Sequence, residues 1–230
     1  LKELAGKFIV FDGPDGCGKT TQRDRVAEAL QSAHLDIVTC KDPGGTAIGD
    51  RIRHVLLDYD LSQMDVRCET MLFMASRAQL VGEVIDPALA AGKTVLCDRY
   101  VSSTCAYQVA AGYPMQRVLD VAPFAIGGTW PDLTLVFDVD AEIGLRRTGR
   151  KPGSARRKSS SGQHGMFADA VVDAMEARPL DFHRRVRQAF LKLSDAYPRP
   201  VRVVKGADRQ PADIHREVMD ILSGMFAAGA

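Results

Sequence analysis

The segment Gly13-Pro-Asp-Gly-Cys-Gly-Lys-Thr20 fits the pattern G-x-x-x-x-G-K-[ST], and its flanks constrain the fold more than any other stretch of the chain. Before it runs Phe8-Ile9-Val10-Phe11, an apolar run that reads as a buried strand. After it, from Lys19 to Leu30, Val26, Ala29 and Leu30 fall on one helical face. A strand that turns through glycines into a helix is the opening unit of a parallel α/β sheet. The glycines let successive backbone N–H groups turn inward and cradle phosphate oxygens at the start of a helix. In such a cradle Lys19 is a point charge for the β- and γ-phosphates, and Thr20 offers a hydroxyl to Mg²⁺. Gly13, Pro14, Asp15, Gly16, Cys17, Gly18, Lys19, Thr20 and Thr21 are therefore the candidate segment for a nucleoside triphosphate.

Further strands are expected at Asp36–Cys40, Thr94–Cys97, Leu133–Phe137 and Val201–Val204. Helical periodicity is expected at about Gly49–Asp58 and about Asp65–Ala90, the latter bent at Pro87. A last helix aligns Ile214, Val218, Ile221, Leu222 and Met225 in one apolar stripe. The resulting expectation is an α/β, three-layer phosphate-loop fold, a five-stranded parallel sheet flanked by helices. One segment departs from globular composition: Arg146, Arg147, Arg150, Lys151, Arg156, Arg157 and Lys158 precede Ser159-Ser160-Ser161-Gly162. It is read as a flexible lid at about 146–172 within a single domain spanning residues 1–230.

Charge narrows the function. Lys and Arg number 30 against 29 Asp and Glu, a formal charge of +1, which argues against a nucleic-acid-coating protein. The chain contains no Asn, so it cannot supply the Asn-Lys-x-Asp segment with which GTPase-type switches read guanine. Five cysteines without a CxxC spacing argue against a zinc site or a disulfide framework and for a reducing compartment. No positively charged head with an apolar run opens the chain, and no stretch approaches the ~18 apolar residues of a spanning helix. A cytoplasmic protein with no membrane or nucleic-acid partner is the expectation. Leu1 in place of Met is read as a trimmed or renumbered start.

The strand Thr94-Val-Leu-Cys-Asp98 ends in a carboxylate suited to hold a metal or its waters, and Arg99 and Tyr100 follow at once. A guanidinium there can clamp a phosphoryl group. Together with Phe11–Gln22, Lys41-Asp-Pro-Gly-Gly-Thr46, Glu69–Gln79, Ala106-Tyr-Gln108, Pro131–Thr134 and Leu180–Arg187, this ordered set resembles the thymidylate kinases. The resemblance runs from about Lys7 to about Leu222 and leaves out about Gly149–Val172.

The resemblance implies transfer of the γ-phosphoryl of ATP to dTMP, with Mg²⁺ as cofactor, in a homodimer packed through helices on one side of the sheet. By the same resemblance Phe73 stacks on the base and Arg77, a turn further along one helix face, donates to a thymine carbonyl. Thr104 and Gln108 match positions that read the thymine edge, and Tyr107 matches the ring that crowds the sugar 2′ position. Asp15 matches the carboxylate near the sugar hydroxyl, and Arg53 and Arg99 match residues that bracket the acceptor phosphate. Pro43 and Ser103 complete the implied dTMP site, and Thr20 and Asp98 the metal site. Catalysis is assigned to Lys19, Arg99, Asp15 and a lid arginine, Arg147 or Arg150.

Gly16, where some members carry Arg, places the chain with the members that supply the arginine from the lid. It departs from the family at Lys41-Asp42, usually Arg-Glu, in a longer lid, at Ala174, and at Lys205-Gly206 near the expected adenine position. The alternative is another phosphate-loop kinase, such as one acting on deoxynucleosides. That chemistry needs a carboxylate base to deprotonate a hydroxyl, and Asp12 is the candidate.

Overall fold

A computed structural model describes residues 1–58, 64–149 and 178–227. Strands β1 (Phe8–Asp12), β2 (Ile37–Lys41), β3 (Thr94–Asp98), β4 (Leu133–Asp138) and β5 (Val201–Lys205) form one sheet in the order β2-β3-β1-β4-β5. Every pairing is parallel, with Phe11 beside Asp98 on one side of β1 and beside Leu135 on the other. The expected five-stranded parallel sheet is thus present, each strand within a residue or so of its expected span. β1 is buried along its whole length, as a central strand covered on both faces must be.

Alternation along the strands divides the core. Phe8 and Val10 with Val95, Cys97 and Val136 face α5 (Val101–Ala110), α6 (Met115–Ile126) and α8 (Leu180–Leu191). Ile9 and Phe11 with Leu96, Leu135 and Phe137 face α1 (Lys19–Ser32) and the stripe Ile214, Val218 and Leu222 of α9 (Pro211–Ala227). The result is the helix–sheet–helix sandwich expected of the pattern. Among the described residues, no helix is long and apolar enough to cross a membrane.

α2 (Ala47–Asp58) starts two residues earlier than expected, because the Thr46 hydroxyl caps it by accepting from the Gly49 N–H at 3.0 Å. The helix expected at 65–90 is interrupted. α3 (Val66–Leu80), capped by Asp65, passes through a π-helical turn at Val81–Ile85 into the short α4 (Asp86–Ala90). Pro87 has no N–H to continue the ladder and its ring crowds the preceding turn, and the wider turn, in which the Asp86 N–H reaches Val81 C=O, absorbs the misfit. α7 (Ala141–Arg147) leads to the expected lid, of which residues 150–172, Arg150 included, lie outside the described residues.

Candidate active site

The carboxyl ends of the strands converge on one side of the sheet, where β1 delivers Asp12 into the glycine loop and β3 delivers Asp98. Ligands in open α/β sheets bind at this edge. Gly16 and Gly18 have φ of 70° and 90°, a left-handed backbone that L side chains rarely adopt. α1 begins at Gly18 with no side-chain cap and no acidic residue in its first turn, so its first N–H groups are left for an anion.

Gly16 is glycine for a second reason. A Cβ there would lie 2.0 Å from Gly144 O of α7, and a Cβ on Gly144 would lie 2.3 Å from Asp15 O. The loop and α7 are in backbone contact. Arg147, one turn beyond Gly144, consequently lines a cleft shared with Gly16, Lys19, Thr20 and Thr21. Gly206, Arg209 and Pro211 line the far side of that cleft.

A second cavity, of about 240 Å³, opens on the other side of Lys19 and Thr20. It gathers Asp15, Pro43, Arg53, Phe73, Arg77, Asp98, Arg99, Ser103, Thr104, Tyr107 and Gln108, so every residue expected at the dTMP site lines one hollow. Lys41, Asp42 and Leu57 join them. Residues far apart in sequence are brought together here by α2, α3, β3 and α5.

Arg99 organises the floor. It stands at φ 69° and donates through Nη2 to Asp15 at 2.5 Å and to the Tyr107 hydroxyl at 3.3 Å, and through Nη1 to Ser103 at 3.0 Å. The Tyr107 hydroxyl donates to the other Asp15 oxygen at 2.9 Å. Burial pushes the Asp15 carboxyl up, but Arg99, Lys19 and Tyr107 outweigh it and hold it below the usual range. Asp15 is a fixed anion at neutral pH.

Asp12 is fully buried, and burial raises its carboxyl despite the opposing Arg99. One oxygen accepts from Ser102 at 2.5 Å, the other from Ser103 at 2.6 Å and the Gly13 N–H at 2.8 Å. A base must reach its substrate, and Asp12 is buried and does not line the cavity. Its work is to tie β1 to the start of α5.

Arg77, also buried, donates through Nε to Asp42 at 2.5 Å and through Nη2 to Thr104 at 2.9 Å and Tyr100 O at 3.1 Å. It therefore anchors the wall it lines. Arg53 is tethered to Pro43 O at 2.9 Å with its head toward the cavity. Phe73 packs against the core by one side and lines the cavity by the other. Thr20 donates to Asp98 at 2.5 Å. A hydroxyl beside a carboxylate is the hard oxygen pair that suits Mg²⁺. Among the described residues there is no cluster of three or more His, Cys, Asp or Glu for a transition metal.

Gly206, singled out in the sequence near the expected adenine position, does line the cleft opposite the phosphate loop; sequence reasoning missed Arg209 beside it, which follows the strand β5 with no motif of its own. It also missed Glu69, which stands behind the cavity wall and is bonded to the lining residue Gln108. Its signal is present: Glu69, Phe73 and Arg77 are spaced i, i+4, i+8 along one face of α3.

Sheet order, glycine cradle and adjoining cavity define a phosphate-loop nucleotide-binding protein of the kinase type. A family model described as thymidylate kinase matches residues 11–218. Thymidylate kinases from Clostridium novyi and Nitratidesulfovibrio vulgaris are 35% and 38% identical, covering 94% and 97% of this chain and 98% and 99% of their own. The thymidylate kinase from Roseiflexus castenholzii is 42% identical over 86% of this chain and 84% of its own length. The crystal structure of thymidylate kinase from Ehrlichia chaffeensis superposes with a TM-score of 0.71 at 26% identity, covering 95% of this chain and 99% of that one. The chain belongs to the thymidylate kinase family.

Proposed function

We propose that the protein transfers the γ-phosphoryl group of ATP to dTMP, giving dTDP and ADP. The observation that carries the reading is the single cavity in which an aromatic face, Phe73, and polar edges, Arg77, Thr104 and Gln108, stand opposite the cations Lys19, Arg53 and Arg99. A nucleobase fits the first group and phosphates the second. The acceptor phosphate is already an anion, so transfer needs positioned cations rather than a base. The sealed Asp12 therefore favours a monophosphate acceptor over a deoxynucleoside hydroxyl.

The roles follow from position. Gly13 to Thr21 and the start of α1 hold the triphosphate by backbone N–H groups, and Lys19 meets charge as it develops on the transferring oxygens. Thr20 and Asp98 hold Mg²⁺, which when bound neutralises phosphate charge. Arg53 and Arg99 grip the acceptor phosphate, with Pro43 and Ser103 shaping its seat. Asp15 accepts from the sugar hydroxyl, and Tyr107, pinned by Asp15 and Arg99, excludes a 2′ substituent. Arg147 supplies the transition-state guanidinium from the ATP side.

A homodimer in the cytoplasm is part of the same proposal. Exposed Ile48 and Val55 on α2, Met71 on α3 and Phe124, 95% exposed, on α6 lie on three helices that pack in series, and a second copy would cover them. Light scattering tests this: a monomer at micromolar concentration would refute it. ADP release measured across nucleoside monophosphates and deoxynucleosides tests the activity. Turnover is expected to be fastest with dTMP; faster turnover of thymidine would overturn the reading.

A further inference from the structure

Behind the base-facing wall of the cavity lies a buried polar relay. Glu69, on α3 and 1% exposed, accepts at Oε1 from the Gln108 amide Nε2 at 3.0 Å. The same carboxylate receives Arg178 Nη2, at 3.0 Å on Oε2 and 3.3 Å on Oε1. Arg178 is itself held with its guanidinium 4.5 Å from the Phe182 ring centroid, just ahead of α8. Gln108 is itself a lining residue of the cavity, and its Oε1 is buried and has no hydrogen-bond partner.

We infer that Glu69 is a positioning residue for base recognition: it fixes the Gln108 amide so that the oxygen, and not the NH₂ group, is offered to the nucleotide, and Arg178 holds Glu69 in place. A carboxylate has no proton to give, so its bond to Gln108 must be made by the amide NH₂. That settles which end of the amide remains. A buried carbonyl oxygen without a partner is unfavourable, and the bound nucleotide is what can relieve it.

The partner must be a donor, and with Arg77 donating to a base carbonyl the donor beside that carbonyl is the ring N–H. Thymine and uracil carry one at N3, between two carbonyls. Cytosine has a lone pair there, which would set acceptor against acceptor. The relay thus selects 2,4-dioxopyrimidine nucleotides over cytosine nucleotides, and it does so from a residue that does not line the cavity. Arg178 matters because burial drives the Glu69 carboxyl upward, and the guanidinium opposes that shift. Without Arg178, a protonated Glu69 could donate to Gln108 and let the amide turn over. The inference rests on the proposed binding of dTMP in this cavity.

The test is kcat/KM for dTMP and for dCMP at saturating ATP. It is measured in the native protein, in Glu69→Gln and in Arg178→Met, and again for each substitution combined with Gln108→Leu. A Gln at 69 can donate as well as accept and no longer dictates the amide. Each single variant is expected to lower the dTMP/dCMP ratio on the order of tenfold, the scale of one mispaired buried hydrogen bond, with the KM for ATP unchanged. In the Gln108→Leu background neither substitution should change the ratio, because the group through which they act is gone. A ratio within twofold of native in Glu69→Gln, or an effect that persists in the Gln108→Leu background, would overturn the inference. Should Glu69→Gln fail to fold, Arg178→Met, partly exposed and outside the core, carries the same expectation and the same refutation. A native protein that does not prefer dTMP overturns the proposed function, and this inference with it; a native preference with unmoved variants overturns the relay alone.

Discussion

Replacing Arg77 by Met should cost stability in a way that depends on pH, and the size of the dependence follows from the partner left behind. Asp42 is 2% exposed, its Oδ2 is bonded to Arg77 Nε, and its Oδ1 has no partner. Burial already raises its carboxyl, with Arg77 as the leading opposing influence. Without the guanidinium, the least costly state of the folded chain has Asp42 protonated. Protonating a carboxyl of ordinary pKa ~3.9 costs about 1.4 kcal/mol for each pH unit above it, hence about 4 kcal/mol at pH 7 and about 1.5 kcal/mol at pH 5. The first figure agrees with the roughly 3–5 kcal/mol found when one partner of a buried pair is removed.

The sign is definite. The folded variant binds a proton that the unfolded chain does not, so stability falls as pH rises from about 4 towards 7. Loss of the bonds to Tyr100 O and Thr104 adds a part that does not vary with pH. Urea unfolding of native and Arg77→Met proteins at pH 5 and pH 7 measures the difference. The variant should lose up to about 2.5 kcal/mol more at pH 7 than at pH 5, relative to native, the full amount corresponding to a native Asp42 ionised at both. Adding Asp42→Asn should remove that increment. A pH-independent loss, or one below about 1 kcal/mol at pH 7, would refute the account of Asp42 as a buried anion held by Arg77.

Arg147→Ala should lower kcat by on the order of 10³-fold with an unchanged melting temperature, since the side chain is exposed and its proposed role is confined to the transition state; near-normal kcat would remove it from the mechanism. Phe73→Ala should raise the KM for dTMP and leave that for ATP little changed, because Phe73 lines only the cavity on the acceptor side; steady-state kinetics showing the reverse would place the base elsewhere. His183 is buried with an unpartnered Nε2, and burial lowers its pKa against the pull of Asp15 and the Arg178 backbone. The unfolded chain therefore takes up the proton first as pH falls below about 6.5, and stability drops there. Thermal melting of His183→Leu should show a shallower decline between about pH 6.5 and 5 than the native protein; an identical slope would count against it.

The sheet was legible because each strand is an apolar run closed by a turn, and α9 because its stripe recurs at helical spacing. α5 announces itself by neither device. Val101, Ser102, Thr104, Cys105, Ala106, Tyr107 and Gln108 are all buried, so the helix has no polar face to set off an apolar one. α6 hides for another reason: Pro123 sits inside it and reads as a breaker. The site residues were legible only where a motif ties chemistry to spacing. Glycines and Lys19 declare a phosphate cradle from local chemistry alone, whereas Glu69 is one charge in a helical run until α5 brings Gln108 and the start of α8 brings Arg178 against it. Tertiary approach, not local pattern, makes it functional.

If Arg147 serves transfer as proposed, the backbone contact between Gly16 and Gly144 makes the two sources of a transferring arginine mutually exclusive in this chain. Any side chain at 16 would have to push α7 away from the loop, because the first atom beyond Cα meets Gly144 O at 2.0 Å. Arg147 rides on the same short helix and would be carried off with it. An arginine introduced at position 16 would therefore not act beside Arg147 as a second cation; it would replace one catalytic geometry by another. Exchanging one arrangement for the other therefore requires the loop and α7 to change together.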